Sequence, residues 1–275
     1  MISKAELQRL AHRENESLGV LEKDYVLTEV LKALSKVTVS RLNEILVFKG
    51  GTALRKVYFP HWRYSEDLDF TVRRDVGKEE LKQALESWYH QVDQESQIQL
   101  STKMLHKPDG YARVRAQFLG PLAYPGKIFM DFTFDEPLCL EPEYRRVLTA
   151  PFGNASRGVQ VYPLEELLAE KMRSILQRGK SRDYYDVWRL LKENSSELAL
   201  ELLGTVFAKK LEHKGLRLLA INDFLPRDDG EYVDLKRYWE EDLRQQVDEL
   251  PPFESTLEEL RDMLDGLVGP HISLE

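Results

Sequence analysis

The sequence predicts a mixed α/β half followed by an all-helical half, and three observations carry that reading. Short apolar runs bounded by turn residues, such as "EILVF" and "DLDFTV", recur through the first 160 residues. Charged stretches of helical period flank them, as in "GKEELKQALESWYHQVDQE". From Pro163 onward only the helical period persists. The expected organisation is an α/β (α+β) domain with N-terminal helices over residues 1–160, and a helical domain over residues 161–275.

Taken in order, "KAELQRLAHRENES" and "LEKDYVLTEVLKALSKV" read as two N-terminal helices. "EILVF" is a buried strand ending at the pair Gly50–Gly51, and "TALRKVYF" is a helix with Thr52 as its N-cap. "DLDFTV" alternates like a strand, and the charged amphipathic helix follows it. "QIQLSTKML", "YARVRAQFL" and "KIFMDFTF" are three further strands, rich in β-branched and aromatic residues. "RRVLTAPF" and "GVQVY" add shorter pieces. Breaks in the helical half are expected near Gly179, Asn194–Ser196, Leu225–Gly230 and Pro251–Pro252.

Composition narrows the function classes. Apolar content of 42% and charged content of 31% describe an ordinary globular chain of 275 residues. No apolar run approaches the roughly 20 residues of a membrane span. The polar start, "MISKAELQRLAHRE", shows no secretory h-region, so the expected setting is cytoplasmic. One cysteine, Cys139, leaves no internal disulfide and no cysteine-built zinc site. The net charge is −8, yet residues 227–275 alone hold 15 acidic and 5 basic residues. The preceding 226 residues are therefore slightly basic, and the whole-chain charge does not exclude an RNA partner.

The chemistry-bearing stretch is "GGTALRKVYFPHWRYSEDLDF", residues 50–70. Gly50 and Gly51 let backbone N–H groups approach a phosphate at a helix start, although a glycine pair also makes an ordinary strand-to-helix turn. Asp67 and Asp69 stand at i and i+2 of a strand, so they share a face about 6–7 Å apart. Two carboxylates so placed repel each other unless a cation lies between them, and Mg²⁺ accepts one or two carboxylates plus substrate phosphate. Asp131, in "IFMDFTF", is a third candidate. Two ions about 3.5–4 Å apart among three carboxylates would activate a hydroxyl and stabilise departing pyrophosphate. Arg63 and Ser65 flank the pair and either steady the loop or touch the nucleotide.

In "PLEELLAEKMRSIL", Lys171 falls within about 20° of Leu164 on a helical wheel, inside the apolar arc, while Glu166 and Arg173 fall on the solvated side. An inward lysine needs a carboxylate or a ligand anion, and a triphosphate is the favoured partner. "RDYYDVWRLL" buries Tyr184, Val187, Trp188 and Leu191 on one stripe. Its Asp183 and Asp186 both remain site candidates, with an Arg182–Asp186 surface pair as the plain alternative for the second. Residues 171–182 carry five basic residues and no acid. Arg178, Lys180 and Arg182 are therefore candidates for an RNA-binding cradle, to which Lys49, Arg55, Lys56 and Arg63 could add.

At these residues the chain resembles the AbiEii/AbiGii toxin family of the polymerase-beta-like nucleotidyltransferase superfamily. The resemblance lies in "GGTALRKVY…RYSEDLDF", "EKDYVLTEVL", "AEKMRSIL" and "RDYYDVW", and fades after about residue 200. It implies a nucleotidyltransferase-fold mixed sheet flanked by helices, and transfer of a nucleoside monophosphate from an NTP to an acceptor. It further implies Mg²⁺ (or Mn²⁺) on Asp67 and Asp69, nucleotide phosphates at Gly51 and Thr52, and a site completed by Lys171 with Asp183 or Asp186. By analogy the acceptor is the 3′ end of tRNA, or another RNA, and the partner is a cognate antitoxin. Rival readings are a phosphotransferase, a protein-nucleotidylating enzyme and a non-catalytic nucleotide-binding regulator of the same fold.

Overall fold

The computed structural model describes residues 1–153, 157–247 and 249–274. The chain divides into two compact units: Met1–Glu136 with Pro142–Val161, and Pro137–Glu141 with Tyr162–Glu275.

The first unit opens with α1 (Lys4–Arg13) and α2 (Leu18–Leu34), each N-capped by a serine, Ser3 and Ser17. A short α3 (Leu42–Ile45) leads into β1 (Leu46–Lys49). The next helix, α4 (Gly50–Ala53), runs on as a wider π-turn over Leu54–Tyr58. Then come β2 (Asp67–Val72), α5 (Lys78–Ser96), β3 (Gln99–His106), β4 (Tyr111–Leu119) and β5 (Pro125–Thr133). Two short strands close the unit, β6 (Glu143–Arg146) and β7 (Gly158–Val161). The run "RRVLTAPF" is thus strand only at its start. The Val147 N–H still donates to the Arg157 carbonyl at 2.8 Å, and beyond it the Leu148 N–H turns to the Lys56 carbonyl at 2.7 Å. Residues 154–156 lie outside the described ones.

The seven strands form one mixed sheet in the order β3-β4-β5-β2-β1-β7-β6. β2 pairs with β5 in parallel and with β1 antiparallel. Alternation decides the two faces. Leu68 and Phe70 of β2, Val114 and Ala116 of β4, and Met130 and Phe132 of β5 are all fully buried on one side. That face packs under α2 and α5, where Phe70 contacts Phe48 (ring centroids 5.3 Å), Phe132 (5.6 Å) and Trp88 (5.9 Å). The Trp88 indole N–H, buried with its ring, donates to the Val30 carbonyl at 2.8 Å. The opposite face carries Asp67, Asp69, Asp131, Arg113 and Arg115, all at least partly exposed.

The second unit is helical: α6 (Leu164–Arg178), α7 (Ser181–Glu193), α8 (Leu200–Lys214), α9 (Asp229–Tyr238) and α10 (Phe253–Leu267). α6 packs against both α7 and α8, and α10 lies on α7. The expected stripe Tyr184, Val187, Trp188 and Leu191 is buried. Glu166 departs from expectation. It is fully buried, 2.8 Å from the equally buried Lys210 of α8, and accepts the Cys139 and Leu140 N–H groups at 2.9 Å. Lys210 also donates to the Pro137 carbonyl at 2.9 Å. These bonds are why residues 137–141 belong with the helices. Among the described residues, no helix is long and apolar enough to cross a membrane.

Candidate active site

Register places the three aspartates. Asp69 pairs with Asp131 across β2–β5, and Asp67 precedes Asp69 by two. All three side chains therefore leave the same face of the sheet. Lys49, register partner of Asp69 on β1, is buried and ion-paired with Glu136. Each aspartate is only half-buried, so its carboxylate sits where solvent or a ligand can reach it.

The glycine turn closes directly onto this face. Gly50 adopts φ +80°, and a Cβ there would lie 2.3 Å from Asp69 Oδ2. A Cβ on Gly51 would lie 2.6 Å from the Arg63 guanidinium and 3.3 Å from the Ser65 hydroxyl. The left-handed conformation and the adjacent Asp69 carboxylate call for glycine at the first position, and at the second an added Cβ would require the Arg63 guanidinium to shift. Arg63 and Ser65 are thus packed against the turn, and Arg63 is held by donation to the Tyr64 carbonyl at 3.1 Å. The first N–H groups of a helix lack intrahelical acceptors, so this turn offers donors beside the carboxylates.

Thr52 differs from expectation. The helix begins at Gly50, so Thr52 is not its cap. Its buried hydroxyl donates to the Asp67 carbonyl at 2.5 Å and ties the start of β2 to α4. Asp131 has its own support: the Tyr111 hydroxyl donates to Oδ1 at 2.5 Å, and Arg113 Nε lies 3.7 Å away. Burial, the bond to Asp131 and that residue's negative charge push the Tyr111 phenol well up, so it stays a proton donor.

Arg55 and Lys56 are not surface cations. Both are buried on Asp24, at 3.2 and 2.7 Å, and the Arg55 guanidinium stacks on Tyr64 at 3.6 Å. Burial pulls the Lys56 ammonium down despite Asp24. Neither side chain can join an RNA cradle. Periodicity gave no warning, because their partner comes from α2.

In the second unit Lys171 is buried, 2.7 Å from Asp186 and 3.3 Å from Asp183. Asp183 also accepts Arg178 Nε and Nη2 at 2.8 and 3.0 Å. Burial alone would raise the Asp183 carboxyl, but Lys171 and Arg178 hold it below the usual carboxylate range. Asp186 is fully buried and no surface partner for Arg182. Both aspartates belong to one cluster around Lys171. Of the expected RNA-binding residues, Arg178 is committed to Asp183, Lys180 is exposed at the N-cap position of α7, and Arg182 is half-buried in its first turn. Arg178 and Lys180 line a cavity of about 590 Å³ whose far wall includes the acids Asp223, Glu231 and Asp234.

The carboxylates suit a hard divalent cation. Among the described residues no three acidic, histidine or cysteine groups gather tightly enough to hold a metal unaided. A cation taking one or two carboxylates and completing its shell from phosphate and water fits that arrangement, and Mg²⁺ binds in this way.

The likeness to known proteins agrees with this geometry. MenT4, a nucleotidyltransferase toxin from Mycobacterium tuberculosis H37Rv, superposes with a TM-score of 0.72 over 97% of this chain and 90% of that one. At 19% identity this likeness speaks for the fold. No curated protein matches the sequence. Residues 32–263, most of the chain, match the model of the nucleotidyl transferase AbiEii toxin of type IV toxin–antitoxin systems, and the protein belongs to that nucleotidyltransferase family.

Proposed function

We propose that this toxin transfers a nucleoside monophosphate from an NTP to the 3′ end of tRNA in the cytoplasm, which blocks translation until a cognate antitoxin intervenes. One observation carries the reading: Asp67, Asp69 and Asp131 share a sheet face onto which Gly50 closes without a side chain. In the reaction the acceptor 3′ oxygen bonds to the α-phosphorus, the α–β phosphoanhydride bond breaks, and pyrophosphate leaves.

Asp67 and Asp69 would hold Mg²⁺ or Mn²⁺. When bound, the cation offsets phosphate charge and lowers the pKa of the attacking hydroxyl. Asp131, aimed by Tyr111 and Arg113, stands beside them and can accept the hydroxyl proton. Gly50 and Gly51 admit the triphosphate to backbone donors, with Arg63 and Ser65 behind them. Thr52 acts indirectly, by fixing the start of β2. We assign Lys171 to the triphosphate as well, its side chain oriented by Asp183 and Asp186.

The test is a labelling matrix of each NTP against tRNA, other RNA and protein, with Mg²⁺. Label from α-labelled NTP should enter tRNA, and Asp69→Ala should abolish it. Transfer from γ-labelled NTP instead would indicate a phosphotransferase. Labelled protein with unlabelled RNA would redirect the reading to protein nucleotidylation.

A further inference from the structure

Beside the carboxylate face, the first unit has a groove of about 720 Å³ that no role above explains. Its walls come from the N-terminal turn of α2, Glu66 next to Asp67, and the β3–β4–β5 end of the sheet. Lys103, Arg115 and Lys127 line it, all exposed. Among the described residues none of these three has a carboxylate partner. The acids in the groove are already engaged: Glu66 pairs with Lys23 at 2.7 Å, and Glu22 accepts the Leu122 N–H at 2.7 Å. The groove therefore presents unneutralised positive charge.

Tyr124 stands at its rim and is 76% exposed. It sits on the β4–β5 turn, which is pinned by the Glu22–Leu122 bond, by Ala123 N–H to Gly120 carbonyl at 2.9 Å, and by Ala123 at φ +54°. Most of this large side chain's surface is left in water by the chain's own packing. Its face is open to a partner's base. Cations beside an exposed aromatic are the combination that holds single-stranded nucleic acid.

The groove also leads to the chemistry. Arg115 and Arg113 occupy the same face of β4, and Arg113 is the register partner of Asp131. Along β5, Lys127 lies four residues before Asp131, about 13 Å at strand rise.

We propose that this groove receives the single-stranded 3′ segment of an RNA acceptor, with a base stacked on Tyr124 and phosphates beside Lys103, Arg115 and Lys127. The inference rests on the RNA-acceptor reading above and moves the acceptor's docking place away from residues 178–182.

Binding of a short fluorescein-labelled single-stranded RNA to the full chain, followed by anisotropy, tests it without turnover. Tyr124→Ala should weaken binding about tenfold, and Tyr124→Phe should restore it to within about twofold, because stacking needs the ring and not the hydroxyl. Charge reversal by Lys103→Glu with Arg115→Glu should weaken binding further. It should also flatten the salt dependence by about 0.7 in slope for each phosphate left unneutralised. The two variants disturb different parts of the groove, so a folding defect in one leaves the other decisive. Wild-type binding by both would overturn the inference. Transfer assayed on the same proteins separates the two claims. RNA bound through Tyr124 but never labelled would sink the transfer reading alone. RNA labelled equally by wild type and both variants would sink the groove alone.

Discussion

Asp69 and Asp131 face each other in register across the parallel β2–β5 pair, and both side chains leave the sheet on the side away from its aromatic core. With Asp67 two residues before, three carboxylates gather on one face of the sheet. Asp67→Asn and Asp69→Asn should each lower transfer on the order of 10³-fold. Stability in urea should stay within about 1 kcal/mol or rise, since a like-charge neighbour is removed. Large destabilisation by either substitution would show that the carboxylates serve the fold instead.

Gly50 is the tightest point of the turn. Gly50→Ala must place a methyl group against the Asp69 carboxylate at a positive φ. We expect a loss of about 1–3 kcal/mol in urea unfolding and a drop in transfer larger than that of Gly77→Ala, where a Cβ meets nothing within 4 Å. Equal behaviour of the two variants would contradict the close approach.

Lys171 should be structural as well as functional. Lys171→Met leaves Asp183 and Asp186 buried with less compensation, at a cost of about 3–5 kcal/mol. Folding lowers the Asp183 pKa, so its stabilising contribution is complete above the ordinary value of 3.8 and is lost as pH falls through the lower folded value. The advantage of wild type over Arg178→Ala should therefore hold at neutral pH and shrink in strong acid. A gap that widens on acidification would contradict the pairing.

Lys210 makes a matching case. Lys210→Met strands Glu166 and weakens the hold on residues 137–141, which should lower the melting temperature by several degrees and hasten proteolysis in that segment. Unchanged melting would refute the buried pair.

What the sequence disclosed follows the reach of periodicity. "DLDFTV" coincides with β2 because strict alternation marks a sheet with one apolar face. Lys171 could be found because it interrupts an apolar arc, and Lys210 gives the same signal beside Leu203, Val206 and Phe207. Glu166 could not, since its solvated-face position is covered by α8 and residues 137–141, which are distant in sequence. Arg55, Lys56 and Asp24 were hidden for the same reason. Their burial depends on a long-range ion pair that local pattern does not encode. Thr52 had the residue type of a cap but not the backbone position, because the helix starts on the glycines.

The most direct test of the central claim is calorimetric titration of Mn²⁺ into the full chain with a saturating non-hydrolysable NTP analogue. Uptake by wild type, abolished in Asp67→Asn and Asp69→Asn but retained in Lys180→Ala, is the predicted result. Absence of uptake by wild type, or equal uptake by the aspartate variants, would contradict it.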